Sequence, residues 1–327
     1  MKISVLIPAY NASATIKMTL DSVLSQTLRP EETLVFNDGS TDGTSAILEG
    51  YKSQITIFQD SNHGLSYVRN YMGHKARGDV LAFLDADDTW HPDYLKLQAD
   101  MIEKYPDAVG YFTKRENNEG LGDFKWPKDV NFRRFQPEMI QPVDLLRRSN
   151  QTPLNFQMSG CCVPKHIFSK LGPEPFRVNG AEDTYFVALL VLLGPVAFTE
   201  ARPVAYRIID GSASVNRLKG SLDVLQVFDL LETIYREKAG PELFREFKVV
   251  RAARRRNCGK YLMGVGRIAE ARKQFLMAVR ESKDPVSALK SVGQYCLSCL
   301  PKRLQPRWPA WKRDLHIKSL AGDTQAL

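Results

Sequence analysis

The chain has no apolar run long enough to cross a bilayer. Its most apolar stretch, residues 185–198, is broken by Gly194-Pro195 and falls short of the roughly 20 residues that a spanning helix needs. The amino terminus, MKISVLIPAY, enters a strand-like segment at once and lacks the apolar region and small-residue cleavage site of a secretory signal. A disulfide framework is missing too: Cys161, Cys162, Cys258, Cys296 and Cys299 make an odd number and suit a reducing compartment. Cys296-x-x-Cys299 has neither a second cysteine pair nor a histidine cluster beside it, so it does not read as a metal site. These absences lead to the expectation of a cytoplasmic protein.

What is present is an ordinary soluble composition, 43% hydrophobic and 25% charged over 327 residues, enough for one large or two modest domains. The net charge of +8 is unevenly spread. Residues 1–215 carry 22 basic and 26 acidic side chains, and residues 216–327 carry 23 and 11. The second part therefore holds all of the positive excess and seeks anionic partners, a membrane surface or a nucleic acid. No recognised nucleic-acid module accompanies the charge, which disfavours the latter.

Strand-like and helix-like segments alternate from the start. Residues 3–8, 33–36, 55–58 and 81–84 read as strands, with amphipathic helices between them, and this spacing predicts parallel βαβ units with right-handed crossovers. The fold class is α/β, with a mostly parallel central sheet. Residues 114–141 lose periodicity and read as a long irregular insert. Further strands are expected near 157–163 and 204–209. From residue 221 onward the pattern is helical only, with helices near 222–235, 242–264, 268–282 and 286–300. We therefore expect a domain over residues 1–215 and a basic helical extension over 216–327. Gly266, Ala269 and Phe275 have the spacing of one helical-hairpin repeat, and a single copy does not make a repeat array.

The stretch LAFLDADDTW, residues 81–90, is an apolar run that ends at Asp85, Asp87 and Asp88. The carboxyl edge of an open α/β sheet is where ligands bind. Side chains two apart on an extended segment leave on the same face, so Asp85 and Asp87 could converge on one ligand. Hard oxygens suit Mg2+ or Mn2+ shared with phosphate. The competing explanation is a polar loop in which Asp88 or Thr89 caps a helix beginning near Pro92.

Four stretches in order, VLIPAYNASATIKMTLDSVLSQT, LVFNDGSTDGT, NHGLSYVRNYMGHKARGDVLAFLDADDTWHPDYL and GAEDTYF followed by PVAYRIIDGSAS, resemble the inverting family 2 glycosyltransferases. The resemblance spans residues 1–214 and implies the GT-A nucleotide-diphospho-sugar transferase fold. It implies that Pro8, Ala9 and Tyr10 enclose the nucleotide base and ribose, and that Asp38 accepts from a uracil-type ring N–H, favouring a UDP donor. Asp38 could instead serve a local Asx-turn. Gly64, Arg69 and Asn70 match a segment lining the same pocket, although Arg69 could be a surface helix residue. Asp85, with Ala86, would bind the ribose side of the donor, and Asp87 a divalent cation next to the diphosphate. Asp183 matches the catalytic base, which inversion by direct displacement requires on the face opposite the leaving group. Glu182 and Asp183 could also serve only the dipole of the helix that they open.

Tyr206, Arg207, Ser212 and Ser214 resemble the closing motif, with Arg207 as a candidate diphosphate ligand. Many relatives carry His two residues after that Arg, and this chain has Ile209. The resemblance implies a hydroxyl acceptor on a glycan or lipid-linked glycan, in making a surface polysaccharide or glycolipid. Arg251, Arg254, Arg255 and Arg256, with Trp308 and Trp311 among Arg307, Lys312 and Arg313, suggest peripheral contact with the inner face of a membrane. Two other readings stay open. A nucleotidyltransferase needs a Gly-rich basic loop after the first strand, which is absent. A scaffold that has lost turnover and recruits partners through its tail would suit the missing His.

Overall fold

The computed structural model of the protein describes residues 1–119, 124–127, 130–151, 156–178, 180–208, 216–282 and 285–300. Ile209, Ser212, Ser214, Arg307, Trp308, Trp311, Lys312 and Arg313 lie outside the described residues.

The chain opens with β1 (Ile3–Ala9), α1 (Ile16–Leu24), β2 (Glu32–Asp38), α2 (Thr44–Glu49), β3 (Thr56–Asp60), α3 (Leu65–Lys75) and β4 (Val80–Phe83). There follow β5 (Thr89–Trp90), α4 (Tyr94–Lys104), β6 (Tyr111–Glu119), β7 (Glu138–Ile140) and α5 (Pro142–Gln151). Next come β8 (Cys161–Pro164), α6 (Lys165–Lys170), α7 (Glu182–Val191) and β9 (Val196–Ile208), then the helices α8 (Arg217–Lys238), α9 (Pro241–Gly264), α10 (Ile268–Glu281) and α11 (Pro285–Cys299). The chain divides into two compact units, Met1–Asp144 with Leu154–Ile209, and Leu145–Pro153 with Asp210–Leu327.

The first unit is built on a sheet ordered β3-β2-β1-β4-β8-β6-β9-β5, with β7 pairing β9. The four strands β3, β2, β1 and β4 are parallel; β8 runs against β4 and β6, and β6 and β9 are parallel to each other. The sheet is therefore mixed and mostly parallel. Burial on both faces explains the continuous apolar strands. Ile3, Val5, Ile7 and Ala9 of β1 and Val80, Ala82 and Leu84 at β4 point into one core with Ile16, Leu20 and Val23 of α1. Phe83, on the alternate face, packs against Phe168, Phe176 and Phe186.

Four expectations shift. The insert over 114–141 is partly ordered, because β6 runs on to Glu119 and pairs with β9 across a bulge between Thr113 and Arg115. The strand expected at 157–163 is shorter, preceded by a 3-10 turn over Met158–Gly160, and the strand expected at 204 already begins at Val196. Helix α4 starts at Tyr94 with Asp93 at its N-cap, so neither Asp88 nor Thr89 caps it; Thr89 lies in β5.

In the helical unit, α9 and α10 form a hairpin turned by Gly266 at φ 84°. Leu225, Cys258, Leu262, Met263, Ala271 and Phe275 make its core. Arg147 of α5 bonds to Glu242 and Glu246 of α9 at 2.7 and 3.4 Å, which is why the later part of α5 groups with these helices. Arg251 and Arg255 are not a surface for anions. Both are buried and paired, Arg251 with Glu232 (2.7 Å) and Glu281 (3.2 Å), Arg255 with Asp229 (2.7 Å) and Glu281 (3.0 Å). Buried cations persist only when partnered in this way. Among the described residues no helix is long and apolar enough to cross a membrane.

Candidate active site

The acidic loop after β4 is held from below by the hydroxyls of Ser159 and Thr19 and by Arg207. Asp85 N–H donates to Ser159 Oγ (3.1 Å), and Asp88 N–H closes the turn on the Asp85 carbonyl (3.1 Å). Thr19 Oγ1, inside α1, lies 2.9 Å from the carbonyls of both Ala86 and Asp88. The Ala86 side chain itself joins the core beneath. Asp88 is fully buried and its carboxylate accepts from Ser159 Oγ (2.5 Å), Gln157 Nε2 (3.1 Å) and the Arg207 backbone N–H (3.0 Å). Trp90 Nε1 donates to the Ser159 carbonyl (2.7 Å) and fixes the segment that supplies these donors. Of three neighbouring aspartates, Asp88 is thus spent inside the fold, and Asp85 and Asp87 keep partial exposure.

Arg207 lies under the same loop. Its side chain is buried, and Nε donates to the Asp87 carbonyl at 3.1 Å. The guanidinium is therefore in contact with the backbone of the acidic motif.

Arg69 brings the second half of the site to the first. It is not a surface helix residue: it is 2% exposed on α3, with Nη2 on Asp85 Oδ1 at 2.6 Å and Nη1 on Glu182 Oε1 at 2.8 Å. Its charge also sits over the Phe176 ring, 5.5 Å from the centroid. Asn70 does different work, exchanging two hydrogen bonds with the backbone of Phe176 (2.7 and 3.0 Å) and so anchoring the approach to α7.

Asp183 stands beside Glu182 in the first turn of α7. Only Oδ1 is engaged by its neighbour Thr184, through the backbone N–H at 2.6 Å and the hydroxyl at 3.3 Å. Burial, and next the Glu182 charge, push the Asp183 carboxyl up to about 6. The helix is entered through Gly180 and Ala181, both left-handed, at φ 98° and 56°. A non-glycine residue in that region is uncommon, and here it aims the first turn of α7.

At the other end, Pro8 and Ala9 finish β1 inside the core, and Tyr10 emerges 53% exposed. Asp38, at the end of β2, accepts from the backbone N–H groups of His63 (2.8 Å) and Gly64 (3.0 Å). Its partners are 25 and 26 residues away, so it does not form the local Asx-turn. Gly64, at φ 87°, can take the backbone geometry that presents this pair of donors.

Among the described residues no three Asp, Glu, His or Cys side chains converge into a metal cage. Burial and the Asp85 charge push the Asp87 carboxyl up to about 6, a strain that a nearby cation would relieve. Mg2+ and similar hard cations are commonly held by one or two carboxylates with substrate phosphates completing the shell. The donor set present fits a cation arriving with a diphosphate.

The sequence reading missed Ser159, Gln157 and the buried role of Asp88. Ser159 lies in an apolar segment with no motif around it. The only available signal was the third acid itself, one more than two ligands require.

A family model described as Glycosyl transferase family 2 matches residues 4–169. Bacillus subtilis TuaG, named for teichuronic acid biosynthesis, is 38% identical over 246 residues, covering 72% of this chain and 91% of that protein. Escherichia coli WfgD, named a UDP-Glc:alpha-D-GlcNAc-diphosphoundecaprenol beta-1,3-glucosyltransferase, is 33% identical over 137 residues, 41% of this chain and 54% of that protein. The crystal structure of S. aureus TarS 1-349 in complex with UDP-GlcNAc superposes with a TM-score of 0.66 at 16% identity, covering 91% of this chain and 90% of that one. The chain spans about a third of the length of the first curated relatives it matches.

Proposed function

Since the chain belongs to glycosyl transferase family 2, we propose that it moves one hexose-type sugar from a nucleotide-diphosphate donor, of the UDP class, to a hydroxyl acceptor with inversion. The observation that carries this reading is the Arg69 guanidinium, bonded at once to Asp85 behind β4 and to Glu182 beside Asp183. Two carboxylate motifs almost a hundred residues apart in sequence are thereby tied together.

In this reading Asp183 is the base. Its carboxylate takes the proton of the acceptor hydroxyl as that oxygen bonds to the anomeric carbon, while the bond from that carbon to the diphosphate breaks and its electron pair leaves with the nucleotide. A carboxyl raised to about 6 is mostly ionised at neutral pH and holds a proton more readily than an ordinary carboxylate, as a base at that pH needs. Pro8, Ala9, Tyr10, Asp38, Gly64 and Ala86 form the nucleotide end, with Asp85 toward the ribose. Asp87 would hold Mn2+ or Mg2+, which supplies neutralisation of the charge developing on the leaving diphosphate. Arg207 positions the Asp87 backbone. No observation favours the scaffold reading, and Asp85 and Asp183, the acids the transfer reading uses, each have defined hydrogen-bond partners.

The acceptor we propose is a lipid-diphosphate-linked glycan in the making of a cell-surface polysaccharide; the names of WfgD and TuaG support it. The chemistry is assigned to a reducing, cytoplasmic compartment, in keeping with five cysteines none of which is paired in a disulfide.

The test is a thermal-shift titration with UDP, GDP and dTDP, with and without Mn2+. Ligands that bind only the native state raise the transition by mass action. A shift with UDP that needs the metal, and that Asp87→Ala removes, is the expected result. Failure of every nucleotide under every metal condition overturns the reading.

A further inference from the structure

We propose that α11 is a docking face for an anionic lipid bilayer. The helix presents two unlike sides. On one, Ser291 and Ser298 are fully buried, Tyr295 packs against the core of the helical unit, and Arg272 donates to the Ser298 carbonyl at 2.8 Å. The other side is apolar and open: Val286 is 59% exposed and Leu289 69%, and Val292, Cys296 and Leu297 are exposed as well. At 3.6 residues per turn these five positions, with Gly293, fill an arc of about 140° that contains no charge. Lys290, at its margin, is the only charged residue of the helix.

An uncharged apolar face of this kind marks an interaction surface, and the charge that follows it in the sequence says which. Residues 285–320 contain seven Lys and Arg and one acid, Asp314, together with Trp308 and Trp311. An apolar face followed in sequence by basic and tryptophan residues matches a headgroup layer over hydrocarbon, which attracts cations and takes apolar side chains a short way in. A second copy of the chain is the weaker occupant. A two-fold contact adds the same stretch from each copy, seven cations to one acid over residues 285–320, so it brings like charge to like charge. The helix is not long and apolar enough to cross a membrane, so the contact proposed is one at the bilayer surface. Docking of this face is independent of the proposed reaction.

The experiment is flotation of the purified full chain with vesicles of phosphatidylcholine alone and of phosphatidylcholine with phosphatidylglycerol. The wild type should float with the anionic vesicles and stay behind with the neutral ones. Leu289→Glu with Val292→Glu should reduce flotation about tenfold or more without changing helix content, since both side chains are exposed. Lys302→Glu with Arg303→Glu should weaken it and flatten its salt dependence. Should the glutamate pair unfold the unit, Leu289→Ser with Val292→Ser provides the same comparison at lower cost to the helix. Wild type that ignores anionic vesicles, or variants that float undiminished, overturn the proposal. So does a dimer on size exclusion that the glutamate pair splits while no vesicle is bound.

Discussion

Arg69 Nη2 sits 2.6 Å from Asp85 Oδ1, with the arginine 2% exposed and the aspartate 30% exposed at its side chain. The cation is inside and the anion is at the mouth. Because the same guanidinium also holds Glu182 at 2.8 Å, it fixes the direction in which each carboxylate leaves its backbone. A planar fork can serve two acceptors at once; an ammonium on a flexible stem cannot hold both in the same geometry. Arg69 Nε has no hydrogen-bond partner among the described residues, so the hydrogen bonds of this side chain to the two carboxylates run through its two Nη atoms.

Arg69→Lys should therefore fold and lose activity. The lysine reaches one carboxylate and leaves the other unpaired, and we expect kcat/KM to fall by about 100-fold, the scale at which a misplacement near 1 Å is felt. Arg69→Ala leaves both carboxylates without their buried cation and should cost about 3–5 kcal/mol of stability. Urea unfolding and steady-state rates on the same two variants check this. Equal activity loss with no difference in stability would contradict it.

Asp183 gives a pH prediction with two signs. As a base with its carboxyl near 6, it should make kcat/KM rise tenfold per pH unit below about pH 6 and level off above it. Its effect on stability runs the other way. Between the ordinary value of 3.8 and about 6 the folded protein binds more protons here than the unfolded chain, so stability falls as pH rises through that window. Asp183→Asn removes this penalty. The variant should be inactive, melt higher than wild type at pH 7.5, and lose that advantage below about pH 4. Thermal melts at the two pH values read the sign directly.

Asp88 should behave as a structural acid. Asp88→Ala leaves Ser159 Oγ, Gln157 Nε2 and the Arg207 N–H without their acceptor, in a fully buried spot. Each unsatisfied buried donor costs about 1–3 kcal/mol, so a loss of at least 3 kcal/mol is expected. Asp88→Asn is milder and still unfavourable, since its amide faces a donor whichever way it turns. Nucleotide binding measured at a temperature where the variant is folded should weaken in step with the loop, because Arg207 and Ser159 also hold the Asp87 and Asp85 backbone.

The parallel half of the sheet was legible because its signals are local. Apolar runs such as Ile3–Ala9 alternate with amphipathic helices, and both faces are covered, so pattern and burial agree. The half containing β6, β8 and β9 was harder to read. There the strands pair across long separations, β6 carries the polar run TKRENN, and a bulge shifts its register with β9. The acidic motif itself stood out, whereas its supports did not: the partners of Arg69 and Asp88 lie 16 to 119 residues away, and nothing in a lone Ser159 or Glu182 states whom it will meet. Charge was misread in the other direction. Arg251 and Arg255 looked like surface cations because helical spacing does not reveal that Asp229, Glu232 and Glu281 close over them.

The helical unit offers a test in which two known effects oppose each other. Gly259 lies within α9, where replacing glycine by alanine ordinarily stabilises a helix by about 1 kcal/mol. A Cβ at this position, however, would stand 2.4 Å from the ring of Phe275 on α10. That ring is fully buried in the core with Cys258, Leu262 and Ala271, so it cannot swing aside without opening the hairpin. Overpacking of this kind costs about 1–3 kcal/mol, which outweighs the gain in propensity. Gly259→Ala should therefore destabilise the unit and speed hydrogen exchange in α9 and α10. Adding Phe275→Leu, which vacates the contact, should recover part of the loss. If Gly259→Ala alone raises stability, the two helices are not in the close contact described, and propensity has prevailed over packing.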